Sequence, residues 1–296
     1  MKNELKNFIP DDPQIECICT NLQFTEGPVW DKRNNRLLFS EIQFNTEHPR
    51  EFDSNLKGNR IMSWSNEEGL QIFYEPSGNS NGLTFDDEGN LIVCEMENRC
   101  ISSITPDKKR RVLVDAYNGR RFNAPNDIVV RNDGDIYFSD PEYGIYIGNR
   151  EIPQQGLYKF NPSKKRIDLL IEDFVQPNGL AFSPDYNRLY VVDSARAFYH
   201  INYLDIDRKG NITESGIIAK VPGADGMKVD NHGNLYIACR EGVCILSSSG
   251  ENIGTINVPE RPANLAWGDK DLKSLYLTAK TSIYKIRLLI EGLTTF

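Results

Sequence analysis

The sequence predicts an all-β protein, a six-bladed β-propeller forming one domain over residues 1–296, and three observations predict it. A strand–turn–strand unit recurs six times, roughly every 40–55 residues, the period of a four-stranded propeller blade. The strands of the unit are β-branched, aromatic and nearly continuously apolar, as strands buried on both faces are. The last unit is one strand short of four, and an unassigned strand pattern stands near the N-terminus.

In chain order the six copies open at Glu26 (EGPVWDKRNNRLLFSE), Asn81 (NGLTFDDEGNLIVCE), Asn126 (NDIVVRNDGDIYFSD), Asn178 (NGLAFSPDYNRLYVVD), Asp225 (DGMKVDNHGNLYIAC) and Asn264 (NLAWGDKDLKSLYLTA). The connectors DDEGN, RNDGD and DNHGN are Asp/Asn/Gly hairpin turns. A second hairpin follows each of the first five copies, for example RIMSWSNEEGLQIFYE and GLYKFNPSKKRIDLLI, and helical periodicity is almost absent. After the sixth copy only SIYKIRLLI remains, so Ile15–Gln23 (IECICTNLQ) is expected to supply the missing outer strand and leave no open sheet edge.

Composition narrows the function. Lys and Arg total 34 against 42 Asp and Glu, a net charge of −8 that argues against nucleic acid or an anionic membrane surface as partner. No apolar run approaches a membrane span, and MKNELKNFIP lacks an apolar leader core, so a cytoplasmic protein is expected. Cys17, Cys19, Cys94, Cys100, Cys239 and Cys244 contain no CxxC and read as reduced thiols. His48, His200 and His232 are the only histidines and stand in unrelated contexts, which speaks against a three-histidine zinc site.

Propeller topology gathers all six opening residues around the axis at one rim. Each carries a side-chain oxygen, and Glu26 and Asp225 are acids. A lone Asn-Gly would be a turn former. Six equivalent positions filled only by Glu, Asp and Asn instead read as a hard-cation site, with Ca²⁺ the first choice and Mg²⁺, Mn²⁺ or Zn²⁺ as competitors. Two loops on the same face are long, residues 41–59 and 140–156, and Phe44, Tyr143, Ile145 and Tyr146 give them apolar surface suited to lids. Three other signals carry less. Gly78–Gly82 fits G-x-S-x-G, but a strand follows Ser80 where a nucleophile elbow needs a helix. Asp205–Gly210 opens like a calcium loop, but its later positions and flanking helices are missing. His200 reads as a strand residue more than a proton shuttle.

The stretches TEGPVW (25–30), SNGLTFDDEGNLIVCE (80–95), RFNAPNDIVVRNDGDIYFSDPEYGI (121–145), QPNGLAFSPD (176–185) and ADGMKVDNHGNLYIA (224–238) resemble the SMP-30/gluconolactonase/luciferin-regenerating family, and within it the bacterial gluconolactonase-like branch. The resemblance implies one axial divalent metal held by Glu26, Asn126, Asn178 and Asp225. It implies that Asp225 also acts in catalysis and that the segment Arg121–Asn123 approaches the substrate. Arg99 and Asn81 are further candidates for binding substrate hydroxyls. Close relatives carry His-Gly-Asn-Arg where this chain has Met96-Glu97-Asn98-Arg99.

The activity so implied is hydrolysis of a sugar lactone, with a small-molecule lactone as partner. The metal would polarise the carbonyl and Asp225 would take and return the proton. Two alternatives stand beside it: a lactonase or phosphotriesterase for another substrate class, and a non-catalytic scaffold whose ion knits the blades together.

Overall fold

The computed structural model describes residues 4–43, 59–143 and 149–293. Six four-stranded antiparallel sheets follow one another along the chain. Blade 1 holds Phe24–Asp31, Arg36–Ile42, Arg60–Ser65 and Gly69–Tyr74, and each later blade repeats the same in-to-out order. The innermost strand of every blade touches that of the next, and the sixth returns to the first, which closes the ring.

The blades form where the six-fold pattern predicts them. Asp86 shows how the tight turns hold: its carboxylate accepts the Asn90 backbone N–H at 2.7 Å and the Asn90 side-chain amide at 2.9 Å. Asp230 clasps Asn234 in the same way. Leu91–Glu95, Ile136–Asp140 and Leu235–Cys239 are buried along their whole length, whereas the outer strands are half exposed. Aromatic pairs join neighbouring blades: Trp30 stacks on Tyr276 at 5.2 Å, and Tyr236 meets Trp267 edge-on at 4.8 Å.

Ring closure is as the strand arithmetic requires. Ile15–Cys19 lies antiparallel to Ser282–Arg287, with Ile15 opposite Ile286 and Cys17 opposite Tyr284. All six cysteines are free. No helix among the described residues is long and apolar enough to cross a membrane.

Two features go beyond the sequence reading. Ala116–Tyr117 and Arg120–Arg121 form a small ribbon between blades 2 and 3. Its turn is Asn118-Gly119, both at positive φ (50° and 75°), the conformation an Asn-Gly hairpin favours. At the lower end, the chain beyond the last blade turns in beneath blades 5 and 6. Gly292 N–H donates to Leu272 O at 2.8 Å, and Leu293 N–H donates to Val229 O at 3.2 Å. Leu293 joins Trp30, Leu83, Ile128, Leu180 and Trp267 in lining an apolar hollow there.

Candidate active site on the propeller axis

At the upper rim, four of the six opening residues are followed by glycine, and the reason is proximity. A Cβ on Gly27 would stand 1.8 Å from the Asn81 carbonyl oxygen, and one on Gly226 would stand 2.1 Å from Asn264 Cγ. The missing side chain lets each blade's opening residue lie against its neighbour's backbone, so the ring tightens around the axis. Blade 3 carries Asp127 at this position instead. Its Oδ1 accepts the Ile128 N–H at 2.9 Å and its Oδ2 accepts the Leu180 N–H at 3.0 Å, which ties blade 3 to blade 4.

Glu26, Asp127, Asp225, Asn178 and Asn264 form one electrostatic cluster. Burial pushes Glu26 well above the usual carboxylate range, and the charges of Asp225 and Asp127 add to it. The Gly27 N–H, at 2.9 Å from Oε2, and the Asn264 amide oppose that rise. Asp225 is likewise pushed up to about 7 by burial, against the pull of Arg261 and the Asn178 amide. Arg261 makes the one ion pair to these three carboxylates among the described residues, Nη2 to Asp225 Oδ2 at 3.9 Å. Asp225 retains 20% of its side chain accessible, while Glu26 and Asp127 are buried at 4% and 2%. The Oδ1 of Asn178 is buried and has no hydrogen-bond partner. Asn126 is buried on the same rim, its backbone N–H on Ser139 O at 2.9 Å.

The other sequence candidates lie in different surroundings. Asn81 is buried and directs its amide to Met96 Sδ at 3.6 Å. Asn123 is wholly buried inside blade 3. Its backbone N–H reaches Asp140 Oδ2 at 2.8 Å, and its side-chain amide reaches Gln154 O at 2.9 Å. Arg99 is a brace: Nε donates to Phe122 O at 2.5 Å and Nη1 meets Glu151 at 3.2 Å. Arg121 is exposed and donates to Asn98 O at 2.6 Å. The arginines therefore brace the segment that holds Phe122 and Asn123. Ser80 is no nucleophile in this setting, since its hydroxyl is buried between Ser40 and Ser77 at 2.8 and 3.0 Å. His200 opens a strand and lies against Phe198.

Of the long loops, residues 44–58 and 144–148 lie outside the described residues, and with them Phe44, Ile145 and Tyr146. Tyr143 is described, and it presents a hydroxyl more than an apolar face. Its OH lies 2.6 Å from Ser194 Oγ. Neither Asp127 nor this hydroxyl was read from the sequence. Asp127 carried a signal all the same, being the one acid in a position that four other blades give to glycine.

These residues fit a hard divalent cation. The donors are oxygens throughout, negative charge is concentrated and desolvated, and a buried amide oxygen has no other use. Among the described residues no three His, Cys, Asp or Glu side chains are grouped closely enough to hold a metal by themselves.

A six-bladed propeller whose inner strands gather oxygen-bearing side chains at one rim is the class that fold and site define. The chain belongs to the SMP-30/gluconolactonase/LRE-like family, whose model matches residues 24–281. It is 32% identical to the gluconolactonase of Zymomonas mobilis, over 92% of this chain and 81% of that one. It is 25% identical to a pentonolactonase of Haloferax volcanii, over 88% and 82% of the two chains. The solved gluconolactonase of Xanthomonas campestris superimposes with a TM-score of 0.86 at 26% identity, covering 97% of this chain and 93% of that one.

Proposed function

We propose that the protein is a metal-dependent sugar lactonase, a hydrolase of carboxylic ester bonds that opens an aldonolactone ring at the upper rim of the propeller. One observation carries the reading: two buried, mutually repelling carboxylates, Glu26 and Asp225, and an unpartnered buried amide oxygen of Asn178 stand at the rim of a chain whose relatives include lactonases. Glu26, Asn126, Asn178 and Asp225 would hold the cation, with Ca²⁺ preferred by the all-oxygen donor set. When bound, the cation supplies Lewis acidity at the lactone carbonyl.

The chain's own residues then divide the work. Asp225 is the axial acid that keeps an accessible edge, so it takes the proton of the attacking water and returns it to the ring oxygen as the ester bond opens. Glu26, more deeply buried, contributes charge without contact to solvent. Asp127 is committed to two backbone N–H groups and stiffens the rim. Met96 and Glu97 replace the His-Gly that the family resemblance implies, a departure that bears on substrate preference. Glu97 is held by Asn59 and Asn79 at 3.0 and 3.1 Å.

The test is hydrolysis of a panel of aldonolactones, apolar lactones and phosphotriesters, before and after chelation and re-addition of single cations. Aldonolactones should be opened fastest, activity should vanish on chelation, and Ca²⁺ should restore it. Chelation-insensitive turnover would remove the metal from the reading. Hydrolysis confined to phosphotriesters would replace the substrate class.

A further inference from the structure

Arg261 is used differently from Arg99 and Arg121. Those two spend their guanidinium groups on backbone oxygens and Glu151. Arg261 makes one hydrogen bond, from Nη2 to Gly223 O at 3.1 Å, and its Nε and Nη1 have no acceptor among the described residues. The loop that carries it, between blades 5 and 6, is fixed on both sides. Glu260 Oε2 accepts from the Thr281 backbone N–H and hydroxyl, each at 3.2 Å, and its Oε1 accepts from Tyr284 OH at 3.1 Å. Ala263 N–H donates to Thr278 O and Ala263 O accepts from Gly226 N–H, both at 2.8 Å. A side chain with spare donors between two anchored residues is preorganised for recognition.

Across the rim stands Asp225, with Nη2 and Oδ2 3.9 Å apart. That is too long for a direct hydrogen bond. Both side chains remain accessible, Arg261 at 46% and Asp225 at 20%. The gap has a donor on one side and an acceptor on the other, because a guanidinium only donates and a carboxylate only accepts. One oxygen atom about 2.8 Å from each bridges such a distance. A hydroxyl satisfies both sides at once. A carboxylate or phosphate there would be repelled by Asp225, and an ammonium by Arg261.

We infer that Arg261 is a specificity residue that, together with Asp225, binds a hydroxyl of the lactone, the one on the carbon next to the carbonyl. The inference rests on the lactonase reading above. Asp225 serves the water that attacks the carbonyl carbon, so the hydroxyl within its reach is the one on the adjacent carbon. Aldonolactones carry that hydroxyl. Their 2-deoxy counterparts lack it and leave the donor and acceptor unpaired.

The experiment compares kcat/KM for an aldonolactone and its 2-deoxy counterpart, with Ca²⁺ present, in wild type, Arg261→Lys and Arg261→Ala. Wild type should favour the hydroxylated lactone by about 10–100-fold, the usual worth of a hydrogen bond to a charged group. Arg261→Ala should bring that ratio close to one by slowing the hydroxylated substrate and hardly touching the 2-deoxy one. Arg261→Lys, which keeps a charged donor, should retain part of the preference. Ca²⁺ affinity by calorimetry should stay level or rise in Arg261→Ala, since a positive charge leaves the rim. Equal slowing of both substrates, or a fall in Ca²⁺ affinity, would make Arg261 a support for Asp225 and overturn the inference. So would an Arg261→Ala protein that keeps the wild-type ratio, or a wild type that does not discriminate. A wild-type protein that opens neither lactone with any of Ca²⁺, Mg²⁺, Mn²⁺ and Zn²⁺ would instead overturn the lactonase reading, and this inference with it.

Discussion

The two ends of the propeller axis are made by the same six strands and could hardly differ more. At the upper end the strands open on Glu26, Asn81, Asn126, Asn178, Asp225 and Asn264, and the space between them is charged and oxygen-lined. A few residues further along, the same strands present Trp30, Leu83, Ile128, Leu180 and Trp267 to an apolar hollow capped by Leu293. The lower end is built as a core is built: Trp267 is buried and its indole N–H is satisfied by Val229 O at 2.9 Å. The upper end breaks the rules that stabilise a core, because it presses like charges together out of water. Local violations that a fold tolerates mark where it does chemistry.

That contrast can be broken in stages. Removing residues 1–23 takes away Ile15–Cys19 and bares an edge of blade 6, so both ends should fail together. Loss of cooperative unfolding and aggregation are expected, and a truncated protein with wild-type stability would dismiss the closing strand. Trp267→Ala should strike the lower end only. Truncating a buried aromatic of this size costs about 3–5 kcal/mol, to be read by denaturant unfolding, while Ca²⁺ affinity of the folded fraction stays the same. Glu26→Gln should have the opposite character. It relieves repulsion with Asp225, so the metal-free protein should unfold at higher temperature than wild type, while Ca²⁺ binds more weakly and excess Ca²⁺ recovers most activity.

The smallest effect is expected from Asp140, which is wholly buried at the end of a blade 3 strand. Burial pushes its carboxyl up to about 7. The folded protein therefore keeps a proton that the unfolded chain releases at lower pH. Stability contributed by this group falls as pH rises from the ordinary carboxylate range to about 7, and levels off above it. Asp140→Asn removes that dependence and keeps an acceptor for the Asn123 N–H. The variant should gain on wild type between pH 5 and pH 8 in metal-free thermal unfolding, and parallel curves would contradict the assignment.

What was legible in the sequence followed from repetition. Six copies of one strand–turn–strand unit marked out the blades, and a count of strands paired Ile15–Cys19 with the last blade. Rim residues were legible because they occupy one repeated position. The ribbon at Asn118-Gly119 occurs once, and so escaped a reading built on recurrence although its turn dipeptide is a strong signal. Tyr143 read as apolar lid surface because its ring is what composition shows; its hydroxyl acquires a role only through Ser194, a residue 51 positions away.

The central claim is that the upper rim holds a cation and that Asp225 moves a proton there. Asp225→Asn tests it most directly, with lactone turnover and Ca²⁺ occupancy measured on the same sample. Enough Ca²⁺ should restore full occupancy, while turnover stays about 10²–10⁴-fold below wild type, the usual cost of losing a general base. A Ca²⁺-saturated Asp225→Asn protein that turns over like wild type would contradict the account and reduce Asp225 to a ligand.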